Sequence, residues 1–266
     1  MDAESQSFVS TARALYDIDG ISTFTDSQIL KFREAKKGHN GRSLEAIAKT
    51  LTWRRESLID EILDEDFLQL ESSGKLQVFG AALDGSIVFI WQGSRHTAPK
   101  SPIDNEKELR YIIYMLEKAV RSGALVDKLT IIFDRTGMRL DTQDFKLASY
   151  IVPVLQSHYP ERLSKMFIFP TNNMIRLLWN GSANMMMDTA TIPKIHLAET
   201  SFSIGAHIES SNYFSKYGGT GGDPYDKKTE AQLALNAVIK KTASLDRSRV
   251  DVELIWERPE VHSYID

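Results

Sequence analysis

Four short apolar runs limit what this chain can become. Ile87–Trp91, Leu129–Phe133, Lys165–Phe169 and Lys194–Ala198 are too short for independent helices and too apolar for loops, so they read as strands. Between successive runs lie stretches of helical character. One is centred on Asn105–Arg121, one runs from Asp141 to Ser157 with a kink expected at Pro153, and one covers Met174–Met187. Strands that alternate with helices need crossover connections, and crossovers build a mostly parallel sheet. The fold class expected is α/β.

Upstream the grammar is helical throughout. A short helix is expected around Phe8–Leu15. Thr25-Asp26-Ser27-Gln28 has capping-box spacing, so a second helix should begin there and turn Ile29, Leu30 and Phe32 inward. Gly38, Asn40 and Gly41 should end it. From Leu44 to Leu63 apolar residues recur near a 3.6 period, which predicts one longer helix. Through Leu70 this makes a small all-helical unit, with Ser72-Ser73-Gly74 as the joint. The expected organisation is a helical N-terminal unit over 1–71, a larger α/β domain over 72–225 and a C-terminal extension over 226–266. In that extension a helix is expected at Glu230–Thr242. Val250, Val252, Leu254 and Trp256 then alternate with charged residues as a half-buried strand would.

Composition removes several function classes. Charged residues make up 26% and hydrophobic residues 42% of the 266, the range of globular proteins. A net charge of −4 argues against a general nucleic-acid binder and makes any attraction to anionic membranes local. The absence of cysteine excludes disulfides, thiolate nucleophiles and cysteine zinc sites. The first residues are acidic and hold no apolar signal core, and no run approaches the ~20 apolar residues that span a bilayer. A cytoplasmic protein is expected.

Enzyme signatures fail one after another. Gly80-Ala81-Ala82-Leu83-Asp84-Gly85-Ser86 has the glycine spacing of a phosphate-binding loop, but it lacks the lysine and precedes a strand instead of opening a helix. Asp134-Arg135-Thr136-Gly137 copies a GTPase DxxG without its companion loop. There is no G-x-S-x-G elbow, and the scattered histidines offer no H-x-x-x-H. His158, before Tyr-Pro, reads as a turn or capping residue, and His196 as a core histidine on a strand. No catalytic residue, metal or cofactor is expected.

Met174, Ile175, Leu177, Leu178, Trp179, Met185, Met186 and Met187 make the Met174–Met187 segment unusually greasy. On the residues alone it reads as a core helix or as a movable lid. Methionine favours adaptable apolar surfaces, and Arg176 with Trp179 suits a membrane–water boundary. Polar anchors flank it: Glu161 and Arg162 before, Thr191 and Lys194 after.

Several pieces of the chain resemble the CRAL-TRIO lipid-binding family, especially its phosphatidylinositol-transfer branch. They are Leu51-Thr52-Trp53-Arg54-Arg55, Leu109 to Glu117, Ile132 to Gly137, His158-Tyr159-Pro160-Glu161-Arg162-Leu163 and Tyr217-Gly218-Gly219, in that order within residues 25–225. The resemblance implies a sheet that floors an apolar lipid pocket, closed by a gate helix at Met174–Met187. It implies that Glu161, Thr191 and Lys194 hold the inositol phosphate headgroup, with Lys36 from the N-terminal unit where relatives carry arginine. Gly218 and Gly219 would belong to the hinge or string motif. The chemistry is coherent: lysine offers a point charge, threonine a hydroxyl, and glutamate accepts from inositol hydroxyls. Leu129 and Ile131 stand where relatives that also bind phosphatidylcholine carry hydroxyls, which leaves a second lipid open. Phe133 and Arg135 replace the ligands of haem-holding relatives. The function implied is non-enzymatic phosphatidylinositol binding and transfer, peripheral at intracellular membranes. A carrier of a sterol, retinoid or tocopherol stays open, as does an adaptor that meets a protein partner through residues 226–266.

Overall fold

The capping box at Thr25 forms as its spacing predicts. The Gln28 backbone N–H donates to the Thr25 hydroxyl at 3.2 Å, and the Thr25 N–H donates to the Gln28 side chain at 2.6 Å. This opens helix α2 (Asp26–Ala35), which follows α1 (Ala3–Leu15). The structure, a computed structural model, describes residues 1–223 apart from 126, 140, 141, 143, 182–186, 188 and 201, so the expected C-terminal helix and strand lie outside the described residues. Two compact units divide the chain: Met1–Asp64 with Ile151–Arg162, and Glu65–Tyr150 with Leu163 onward. The first of these divisions precedes the Ser72-Ser73-Gly74 stretch.

In the first unit α1, α2 and α3 (Asn40–Glu56) close over a core of Phe8, Val9, Ala12, Ile21, Phe24, Ile29, Phe32, Ile47 and Leu51. Lys37 and Gly38 both take positive φ and stop α2, and the Gly38 N–H returns to the Arg33 carbonyl at 2.9 Å. That arrangement satisfies the last carbonyls of the helix. Asn40 and Gly41, expected to end α2, instead form the first turn of α3. The single helix expected over Leu44–Leu63 breaks at Leu58, whose φ is 51°, and continues as a 3-10 helix over Ile59–Asp64. Ile59 and Ile62 are fully buried there while Leu58 is 59% exposed. A three-residue turn keeps i and i+3 on one side, so the apolar spacing reads much like an uninterrupted α-helix.

The second unit holds a five-stranded sheet in the order β1-β2-β3-β4-β5, formed by β1 (Leu76–Ala81), β2 (Ile87–Gln92), β3 (Leu129–Asp134), β4 (Leu163–Phe169) and β5 (Ile195–Leu197). β1 runs antiparallel to β2, and every later pair is parallel. Sequence patterning missed β1. The glycines around Ala81-Ala82-Leu83-Asp84 make its hairpin with β2, so the loop joins two strands and opens no helix. Gly80, at φ 61°, sits at the register shift between Val78 and Ala81. The Asp84 carboxylate accepts from Ser86 and from Lys165 of β4, at 2.8 Å from the lysine.

Crossovers follow the expected order. α4 (Leu68–Ser72) precedes β1. α5 (Pro102–Arg121) lies between β2 and β3, α6 (Phe145–His158) between β3 and β4, and α7 (Asn173–Gly181) between β4 and β5. Ser101 caps α5, with Pro102 in its first turn. Lys194, expected on the last strand, ends a 3-10 turn over Ile192–Lys194 that delivers the chain into β5. A short α8 (Phe202–Gly205) begins the final described stretch.

Candidate functional site

The two faces of the sheet are treated unequally. One face carries Val88, Ile90, Ile132 and Phe167, all 3% exposed or less, and packs against Ile204, Ile208, Tyr213, Phe214 and Tyr217 of the final described stretch. The other face is read from the strand register as two cross-strand rows. One row is Leu76, Trp91, Phe133, Ile168 and Leu197; the next is Val78, Phe89, Ile131, Met166 and Ile195. Every member is apolar. At the β1–β2 end Leu76, Val78 and Phe89 are buried. Along β3 burial alternates: Ile132 and Asp134 are buried, Ile131 and Phe133 half-buried. Met166, Ile168, Ile195 and Leu197 are half-buried as well.

That pattern is informative because parallel strands usually lose both faces to packed helices. β3 sits in the middle of the sheet, so solvent at Ile131 and Phe133 is not an edge effect. Among the described residues, the β3–β5 part of this apolar floor is only partly covered by side chains of the unit.

α7 carries the first part of the greasy segment, and residues 182–186 of it lie outside the described residues. Asn172 caps it by accepting from the Ile175 N–H at 3.0 Å, and Arg176 pairs with Glu199 at 2.7 Å. Ile175 is buried at 9%, whereas Met174, Leu177 and Leu178 are 56%, 72% and 42% exposed. These three fall at i, i+3 and i+4, so they form one stripe along the helix. Trp179 and Met187 are half-buried; Met185 and Met186 lie outside the described residues.

The polar anchors fall in both units. In the second, Thr191 and Lys194 are half-buried at the two ends of one tight turn, with the Lys194 N–H donating to the Thr191 carbonyl at 2.9 Å. In the first, Glu161 follows the buried Pro160 and takes φ 52°, a conformation uncommon for a residue with a side chain. His158 seats this turn. Its Nδ1 lies 3.0 Å from the Thr50 hydroxyl, and its ring stacks on Trp53. Burial, with Arg54 adding repulsion, holds the imidazole pKa down to about 4. His158 is thus a neutral residue that ends α6, one position before the turn in which its place ahead of Tyr-Pro had suggested it. Lys36 is exposed at the C-cap of α2. Lys31, which sequence reasoning passed over, is only 5% exposed, and its ammonium lies 3.5 Å from the Glu161 carbonyl.

Gly218 and Gly219 close the packed face. Gly218 adopts φ 90°, and a Cβ on Gly219 would lie 2.0 Å from the Tyr213 carbonyl oxygen, so only glycine fits. The preceding Tyr217 donates to Asp134 Oδ2 at 2.7 Å, and Asp134 Oδ1 accepts from the Thr136 N–H at 2.8 Å. Burial, then the Asp134 charge, push the Tyr217 phenol far above its ordinary value. Lys216 lies 3.3 Å from Asp223, which also accepts from Gln92 at 3.0 Å and pairs with Arg95 at 3.2 Å. The GTPase-like DxxG is therefore a fastening point for the chain's return across the sheet. His196 stacks on Phe167 at 5.2 Å, and His207 lies beside both rings. Among the described residues no cluster of His, Asp or Glu could hold a metal ion. No helix among them is long and apolar enough to cross a membrane.

A mostly parallel sheet with one packed face, one apolar face half-buried along β3 to β5 among the described residues, and a glycine-tied return strap defines an α/β fold. The chain belongs to the CRAL-TRIO family: the model of the CRAL/TRIO domain matches residues 71–219. It is 22% identical over 263 residues to the phosphatidylinositol transfer protein CSR1 of Eremothecium gossypii, covering 88% of this chain and 58% of that one. It is 25% identical over 241 residues to the phosphatidylinositol transfer protein PDR17 of Saccharomyces cerevisiae, covering 84% of this chain and 64% of that one. The chain thus spans less than two thirds of either relative. The crystal structure of Sfh5 matches the fold with a TM-score of 0.63 at 13% identity, over 78% of this chain and 84% of that one.

Proposed function

We propose that this protein binds phosphatidylinositol and carries it between membrane surfaces, without catalysis and without a cofactor. The acyl chains lie on the floor formed by Ile131, Phe133, Met166, Ile168, Ile195 and Leu197. The single observation that carries this reading is the alternating burial of β3, which leaves an apolar row of a central strand half open to solvent. Covering such a row with hydrocarbon is favourable by about 25 cal/mol per Å².

The headgroup is assigned to Glu161, Thr191 and Lys194, with Lys36 as a further basic contact. Lysine supplies charge for the phosphate, and the threonine hydroxyl and glutamate carboxylate suit the inositol ring. Relatives named as phosphatidylinositol transfer proteins support this class of ligand. The Met174–Leu177–Leu178 stripe supports a gate that meets the bilayer while lipid enters, so the protein works peripherally from the cytoplasmic side. Leu129 and Ile131 give a phosphatidylcholine headgroup no hydroxyl, so a second cargo would be of another kind.

Lipid extracted from the purified protein and identified by mass spectrometry tests the reading. Phosphatidylinositol is expected. Recovery of a sterol, retinoid or tocopherol alone would overturn it.

A further inference from the structure

Lysine is seldom fully buried, because its ammonium must keep polar partners when it leaves water. Lys31 is 5% exposed in the middle of α2, between the inward-facing Ile29 and Phe32. Its Nζ reaches the backbone carbonyl of Glu161 at 3.5 Å, across 130 residues of sequence. Glu161 holds φ 52°, where glycine or asparagine would be at ease and a glutamate is strained. The turn around it is fastened at several points within the same unit. Pro160 is buried, Arg162 is 7% exposed, Trp53 stacks flat on His158, and Tyr159 meets the same indole edge-on at 6.0 Å.

Backbone orientation at a residue in this conformation decides where its side chain can point. An ammonium 3.5 Å from the Glu161 carbonyl favours the present orientation of the Glu161–Arg162 peptide and so disfavours backbone rotation at Glu161. We infer that Lys31 is a positioning residue: it holds the Glu161 turn in its left-handed form and so aims the carboxylate for a polyhydroxylated lipid headgroup. This rests on the proposed role of Glu161. It gives the buried cation a task distinct from that of Lys36, which is exposed at the helix end.

A double-mutant cycle on the full chain tests it, with phosphatidylinositol transfer between vesicles as the readout. Lys31→Met keeps the length of the side chain and removes the charge; Glu161→Gln removes the headgroup acceptor. Loss of one long charged hydrogen bond predicts that Lys31→Met lowers transfer roughly fivefold in the parent. In the Glu161→Gln background the same change should cost less than about twofold, because the group it aims is gone. Lys31→Arg should restore most of the activity. Equal losses in both backgrounds would make Lys31 merely structural and overturn the inference. So would a large effect of Glu161→Gln beside none of Lys31→Met, while leaving the headgroup assignment intact. Parental transfer by Glu161→Gln alone would overturn the headgroup assignment, and the inference with it.

Discussion

Trp53 lies flat on His158, with ring centroids 4.1 Å apart and planes within 3° of parallel. The stack buries the imidazole, and burial, followed by the charge of Arg54, keeps it neutral down to about pH 4. In the unfolded chain the same histidine takes a proton near pH 6.5. Between these values the unfolded state binds more protons than the folded one, so stability rises with pH across the window. The contribution is complete above pH 6.5 and fades as pH falls toward 4. Urea unfolding at pH 7.5 and pH 5 should show the difference, and His158→Phe should flatten that part of the profile. An unchanged slope in the variant would locate the proton elsewhere.

Tyr217 and Asp134 are 83 residues apart and meet at 2.7 Å with almost no water. Tyr217→Phe removes one hydrogen bond to a buried carboxylate and leaves the Thr136 N–H and Lys216 to hold it. A loss of about 1.5–3 kcal/mol in unfolding free energy is expected. A change under about 0.5 kcal/mol would mean that the remaining partners suffice.

Two glycines should respond to alanine in opposite ways. Gly219→Ala drives a methyl group into the Tyr213 and Ser210 carbonyl oxygens, which are backbone and cannot swing aside. Overpacking of this kind costs about 1–3 kcal/mol or more. Gly41, in the first turn of α3, has nothing within 4 Å of its added Cβ. There alanine should gain up to about 1 kcal/mol by improving helix propensity. Melting temperatures of the two variants decide it, and a shift of the same sign in both would refute the contrast.

Leu177 is 72% exposed on α7, so charging it should not disturb the fold. If the stripe meets the bilayer, Leu177→Glu should weaken co-sedimentation with vesicles by roughly tenfold or more, the worth of one buried leucine. Its melting temperature should match the parent's. Parental vesicle binding would show that membranes are met through another surface.

Much of the architecture was legible because parallel strands leave apolar runs, and Ile87–Trp91 and Leu129–Phe133 are such runs. β1 was not, since Gln77 and Gly80 interrupt it and its pairing depends on a hairpin bulge. The break at Leu58 hid behind a 3-10 turn whose spacing resembles a helix. Among the polar residues, Glu161, Thr191 and Lys194 were proposed through family resemblance, and no periodicity singles them out. Lys31 was invisible for a different reason. A lysine between Leu30 and Phe32 reads as the wet side of an amphipathic helix until tertiary structure buries it. The Asp134–Tyr217 bond joins two segments that sequence treats as unrelated motifs.

The unequal faces of the sheet carry a consequence for exchange. A lipid seated on Ile131, Phe133, Met166 and Ile168 would supply hydrocarbon that other domains take from their own chain. Loading would then be the last step of folding, and departure into water a partial unfolding. Cargo would leave most readily where a second hydrocarbon arrives as the first withdraws. On the proposed reading, such a protein would trade at a bilayer and have little reason to travel empty.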